Sequence, residues 1–168
     1  AEKIRISGGG RSNFTNMDVS AANFISENPR FAKSALSRYT PADFVALVKK
    51  HGIAFHEKHK GQLFCDRSAE DLIAMLLAEC AAGGVERWQP CSVKNIRFSA
   101  SSPHGKCTSS YEIDSDRGTI HCAALVIATG GLSIPKIGAT DFGYRVAKQF
   151  NLPLITPRPA LVPLTFDE

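Results

Sequence analysis

Leu125-Val126-Ile127-Ala128-Thr129-Gly130-Gly131 is the stretch on which the reading of the fold turns. Four apolar residues in an unbroken row predict a strand buried on both faces, as in a sheet covered by helices. Thr129, Gly130 and Gly131 then form the exit from that strand. In open α/β sheets ligands bind beyond the carboxyl ends of strands, and glycine there lets a bound group pass close to the backbone. The same three residues read equally well as a tight strand exit that holds nothing. Thr140-Asp141-Phe142-Gly143-Tyr144 opens the next helix, with Phe142, Val146, Ala147 and Phe150 on one side. The N-terminal amides of such a helix can face an anionic group.

Upstream of this stretch the chain alternates helix and strand signals. Val85 to Trp88, Ser92 to Phe98, Tyr111 to Ile113 and Thr119 to His121 are short β runs separated by polar turns, which predicts an antiparallel meander. Ser68-Ala69-Glu70-Asp71 starts a helix whose stripe is Leu72, Ile73, Leu76, Leu77 and Cys80, with Gly83-Gly84 as its stop. Thr40-Pro41-Ala42-Asp43 starts another, with Phe44, Leu47 and Val48 on one face and Gly52 at its end. Between them, Ile53 to Phe55 and Leu63-Phe64 predict a hairpin about the turn containing Gly61. The pattern places the chain in the α/β class.

A second glycine-rich segment, Ser7-Gly8-Gly9-Gly10-Arg11-Ser12-Asn13, follows Ile4-Arg5-Ile6, whose alternation predicts a strand. Consecutive glycines accept positive φ, and successive amides in such a loop can form an anion-binding concavity beside the Arg11 guanidinium. A dinucleotide fingerprint would need a third glycine where Asn13 stands, and no Lys-Ser/Thr completes a phosphate loop. On its own the loop is as readily a turn that closes a strand.

With 168 residues, 43% apolar and 21% charged, the chain is the size of one domain and can bury roughly two-thirds of its unfolded surface. Its longest apolar runs fall far short of the ~20 residues that span a bilayer. Twenty Lys and Arg against sixteen Asp and Glu leave +4, and the positive charge is scattered rather than gathered on one face, so no nucleic-acid partner is expected. The densest basic patch, His56 to Lys60, contains Glu57 and reads as a solvated turn. Cysteines 65, 80, 91, 107 and 122 are odd in number and form no Cys-x-x-Cys, which predicts reduced thiols in a cytoplasmic protein and no metal site. His56 and His59 have no third ligand in sequence, and no nucleophile-and-base set for hydrolysis is present. Any redox chemistry must therefore come from a bound cofactor.

The chain starts abruptly at Ala1, and three prolines between 157 and 163 predict an extended segment near its other end. The expectation is an interior segment of a longer protein, with residues 1–168 a partial domain.

At the two glycine loops the sequence resembles a known family. Lys3 to Asn16, Val126 to Gly138, Thr140 to Tyr144 and Pro159 to Leu164 resemble, in that order, the BaiN-like (aminoacetone-oxidase-like) family of NAD(P)/FAD-dependent oxidoreductases. The resemblance implies an incomplete FAD/NAD(P)-binding Rossmann-like fold of the two-dinucleotide-binding type, carrying a small antiparallel meander. It implies that a strand and Gly-x-Gly-x-x-Gly turn precede Ala1 and that an inserted barrel-like domain follows Glu168. Ser7, Gly8, Gly9, Gly10, Arg11 and Asn13 would line the flavin or its phosphates, Val93 would lie near the adenine through its backbone, and Thr129, Gly130 and Gly131 would form a turn beside the cofactor. Family members commonly carry Cys where this chain has Ser12.

Two functions follow as expectations. In the first, the parent protein binds FAD and transfers hydride between a nicotinamide, with NAD(P)H as donor, or a small substrate and the flavin; no catalytic residue is evident. In the second, the isolated segment is a non-catalytic domain without cofactor, open to self-association through unpaired sheet edges.

Overall fold

The computed structural model describes residues 1–99 and 110–158. The chain divides into two units, Ala1–Arg87 and Trp88–Glu168.

In the first unit the elements run α1 (Glu2–Ile6), β1 (Asn13–Asn16), α2 (Lys33–Arg38), α3 (Pro41–Lys50), β2 (Phe55–Glu57), β3 (Gln62–Cys65) and α4 (Ala69–Ala82). A short 3-10 turn, Ser7–Gly10, joins α1 to β1. The three strands form an antiparallel sheet in the order β1-β3-β2. The expected hairpin is β2 and β3, paired from Phe55 opposite Cys65 to Glu57 opposite Leu63.

Both long helices start where their caps dictate. The Thr40 hydroxyl accepts from the Asp43 amide at 3.2 Å, and the Asp43 carboxylate accepts from the Thr40 amide at 2.7 Å, with Pro41 in the first turn. The Thr40 hydroxyl also donates to that carboxylate at 2.7 Å, and this bond first, then the Thr40 amide, holds the Asp43 carboxyl below its usual range. At α4 the Ser68 hydroxyl accepts from the Glu70 amide at 3.1 Å, and Gly83 terminates the helix.

Val48, Cys65, Leu72 and Met75 form the centre of this unit, with Ile4, Phe14, Phe44, Leu47, Ile53, Phe55 and Leu76 packed around them. The α4 stripe is correct at Leu72, Ile73 and Leu76, but Leu77 and Cys80 face solvent and Met75 is buried in their place. With apolar residues at 72, 73, 75, 76 and 77, hydrophobicity alone does not single out one face.

Ile4 to Ile6 is helix rather than strand. Arg5 pairs with Glu2 at the i,i+3 spacing of a helical turn and also with Glu70 on α4, while Ile4 turns into the core. The first glycine loop therefore leaves a helical turn, not the end of a strand.

In the second unit β4 (Val93–Ser99), β5 (Ser110–Ser115) and β6 (Gly118–Cys122) form the expected antiparallel meander, in that order. Helix α5 (Phe142–Gln149) packs on it: Ile96, Ile113 and Val146 form the core, with Tyr111, Cys122, Leu125, Phe142 and Phe150 against them. The Gln149 amide donates to the Ile96 carbonyl, which ties helix to sheet.

Two strand expectations fail here. Val85 to Trp88 is irregular, as is Leu125 to Ala128, where Val126 is 84% exposed. A strand buried on both faces needs partners along its edges. Among the described residues, the second unit pairs strands only within the meander. Leu125 alone of that apolar run packs into the core. The extended reading of Pro159 to Leu164, and Cys107 and His104, lie outside the described residues.

Candidate functional site

The first glycine loop is built by left-handed backbone. Gly8, Gly9 and Gly10 have φ of 57°, 67° and 84°, and Ser12 follows at 50°. Their reasons differ. A Cβ on Gly8 would lie 2.7 Å from the Phe64 ring and 2.9 Å from the Asn13 amide, so close packing against β3 demands glycine there. A Cβ on Gly9 would meet nothing within 4 Å, so that glycine's backbone faces open space.

The loop is closed by its own hydrogen bonds. The Ser12 amide donates to the Ser7 carbonyl at 2.9 Å, the Arg11 amide to the Gly8 carbonyl, and the Cys65 amide to the Arg11 carbonyl at 2.9 Å. Amides 11 and 12 are thus already used, and the anion-binding concavity expected of the loop is reduced by two donors. Arg11 itself projects into solvent, outside every ion pair among the described residues.

Beside the loop lies a cleft of about 270 Å³ lined by Lys3, Ile4, Ser7, Ser12, Asn13, Phe14, Phe44, Leu72 and Leu76. Its polar edge is the hydroxyl pair Ser7 and Ser12, 3.2 Å apart, with Ser7 also donating to the Ile4 carbonyl at 3.0 Å. Its walls are aromatic and aliphatic: the Phe14 ring packs against Phe44 and Phe55 at 5.9 and 5.6 Å. Apolar walls with a few convergent polar groups are the composition of a small-molecule site. Ser7 and Asn13 were expected here from sequence. Ser12 stood within the loop expected to line the cofactor; Phe44, Leu72 and Leu76 were read only as helix faces, and Lys3 and Phe14 were not assigned to a site. Their signal was present in the helix stripes, but periodicity does not separate a core wall from a cleft wall.

The remaining expected residues lie in the second unit. Val93 starts the edge strand β4 opposite Ser115, with a bulge before Asn95. Gly130 has φ of 74°. The turn containing it packs on the start of α5: a Cβ on Gly131 would lie 3.4 Å from the Tyr144 hydroxyl, and one on Gly143 would lie 3.3 Å from the Thr129 hydroxyl. Close approach to α5 is thus one cause of the small residues here. Ser7 to Asn13 and Thr129 to Gly131 belong to different units, and each group is assembled within its own.

Elsewhere two histidines are engaged in structure. His51 Nε2 lies 2.6 Å from Glu79 Oε1, and this contact, followed by Lys50, holds the Glu79 carboxyl low. His56 meets Asp66 at 2.7 Å, within β2 rather than in the turn expected from sequence. Among the described residues no group of three or more His, Cys, Asp or Glu could hold a metal ion, and no helix is long and apolar enough to cross a membrane. Cys65, Cys80, Cys91 and Cys122 are free thiols.

The chain is 47% identical over 166 residues, 99% of its length, to "Ribosomal RNA dihydrouridine synthase" of Escherichia coli, and 45% identical over the same extent to the Haemophilus influenzae protein of that name. It is 25% identical over 165 residues to "3-dehydro-bile acid delta(4,6)-reductase" of Clostridium scindens. The chain spans about 40% of the length of the curated relatives it matches. Residues 1–158 match a family described as the HI0933-like protein Rossmann domain, a coarser grouping than the BaiN-like resemblance. The chain belongs to the HI0933-like Rossmann domain family.

Proposed function

We propose that this chain is part of the FAD-binding region of a flavoprotein oxidoreductase that passes hydride from NAD(P)H or a substrate through the flavin. The observation that carries this reading is the cleft beside the left-handed Gly8 to Ser12 loop, apolar on its walls and hydroxylated on its edge. Family membership and reductase- and synthase-named relatives support it. The residues suit a flat heteroaromatic group with a polar rim: Phe14 and Phe44 offer ring faces, and Ser7, Ser12 and Asn13 offer hydrogen bonds. At about 270 Å³ the cleft falls just below the range of ligand sites, of order 300–1,000 Å³, and suits only one end of a dinucleotide.

When bound, the flavin supplies the hydride chemistry. The chain's own residues bind and orient it. The solvent-facing Arg11 guanidinium offers a fork of donors to a phosphate, and Gly9 leaves the backbone open to approach. Ser7, Gly8, Gly10 and Asn13 are proposed as further cofactor-binding residues of the first unit, and Val93, Thr129, Gly130 and Gly131 as those of the second, each group within its own unit. The sequence led us to expect no nucleic-acid partner. The names of the two relatives near 46% identity favour RNA as the substrate class instead.

A second reading, in which the chain by itself folds without cofactor, is favoured by the Arg11 and Ser12 amides being satisfied inside the loop. Purification of the full-length protein and of residues 1–168 separates the two. Flavin absorbance that stays with the full-length protein supports the flavoprotein; a colourless full-length protein that takes up no added FAD overturns it. Tight FAD binding by residues 1–168 alone rejects the cofactor-free reading.

A further inference from the structure

Residues 22–31 are exposed without a break, an excursion between β1 and α2. Within and just after it stand Phe24 at 49% exposure, Ile25 at 98%, Phe31 at 82% and Tyr39 at 53%. Ala21, Ala22, Phe24, Ile25, Ser26, Pro29 and Lys33 line a groove of about 390 Å³ there. Soluble proteins rarely leave large apolar side chains together in water unless the surface meets a partner.

The charge pattern narrows the partner. From residue 22 to 40 the sequence carries Arg30, Lys33 and Arg38 against a single carboxylate, Glu27. All three are exposed, and none enters an ion pair among the described residues. Two of them are adjacent in sequence to exposed rings, Arg30 to Phe31 and Arg38 to Tyr39. An Asn28 turn fixes the first pair: its side-chain oxygen accepts from the Arg30 amide at 3.1 Å and its carbonyl from the Phe31 amide at 3.0 Å. Flat apolar faces interleaved with cations in excess of the one carboxylate complement a polymer with flat bases and a regular phosphate charge. A purely apolar protein segment would leave those cations unmatched.

We propose that this excursion is a contact surface for single-stranded RNA, with Phe31, Phe24 and Tyr39 as stacking platforms and Arg30, Lys33 and Arg38 on the phosphates. This rests on the reading that the protein acts on RNA, and it uses residues distinct from those proposed for the flavin.

The test is fluorescence anisotropy of a labelled single-stranded RNA dodecamer on the full-length protein across a salt series. Phe31→Ala is expected to weaken binding roughly ten-fold and Phe31→Tyr to retain it, because the ring face survives. The triple change Arg30→Gln, Lys33→Gln, Arg38→Gln is expected to lower the slope of log affinity against log salt by about 2, at ~0.7 per phosphate contact. Far-UV circular dichroism and flavin content serve as folding controls, since these side chains touch neither core nor cleft. Unchanged affinity and slope in both variants overturns the proposal, as does a wild-type protein that binds no RNA. A concentration-dependent dimer in sedimentation, lost in Phe31→Ala while RNA affinity holds, also overturns it and assigns the surface to a second copy of the chain. Failure of the flavin reading shows separately, as absence of flavin from a protein that still binds RNA.

Discussion

Gly8 and Gly9 share a backbone conformation but not a reason for it, and substitution separates the two. Alanine at Gly9 meets no neighbour and costs only the left-handed backbone term, about 1 kcal/mol. Alanine at Gly8 adds a 2.7 Å approach to the Phe64 ring and a 2.9 Å approach to the Asn13 backbone, and the expected loss is several-fold larger, about 3 kcal/mol. Urea unfolding of the two variants side by side checks the order. The thiols differ in a similar way. Cys65 is fully buried, and burial, reinforced by Asp71 and Asp66, pushes its thiol up, whereas Cys80 is exposed. Iodoacetamide is expected to label Cys80 within minutes and Cys65 only after denaturation, as peptide mass mapping would show. Fast native labelling of Cys65 would mean that the β3 to α4 packing is wrong.

At the scale of elements, what was legible in the sequence was whatever short-range chemistry fixes. The starts of α3 and α4 were readable because Thr40, Asp43 and Ser68 act within three residues of themselves. The β2 and β3 hairpin and the meander were readable from alternation and turns. Ile4 to Ile6 was not, because three residues alternate equally well in either state and the deciding contact, Arg5 to Glu70, spans 65 positions. Leu125 to Ala128 misled for the opposite reason: its composition asked for strand partners that the described residues do not provide. The Thr40 cap yields a direct test. Thr40→Ala is expected to destabilise by about 1 kcal/mol in chemical denaturation. The Asp43 carboxyl lies lower in the folded state than in the unfolded chain. Its contribution is therefore present above the unfolded carboxylate range and is lost as pH falls through the folded value. The Thr40→Ala deficit should accordingly shrink in acid, and a deficit constant from neutral pH down to about 2 would contradict the reciprocal cap.

For the molecule as a whole, each of the two units carries its own core and one of the glycine-rich turns. Sequence found both turns because glycine marks positive φ, yet it could not say that Gly8 is demanded by Phe64 and that Gly131 lies against Tyr144. It also passed over Lys3 and Phe14, whose place in the cleft depends on contacts distant in the chain. If Arg11 meets a phosphate, Arg11→Ala in the full-length protein should weaken FAD retention roughly ten-fold, as equilibrium dialysis would read, while leaving the urea midpoint in place, since this side chain stands in solvent. The unbroken solvent-facing excursion at 22–31 has one more consequence. Main chain that lies open in this way fits readily into a protease cleft. Trypsin should nick the native protein first after Arg30 or Lys33, and whatever occupies that face in the cell would shield those bonds, making the rate of nicking a label-free gauge of occupancy.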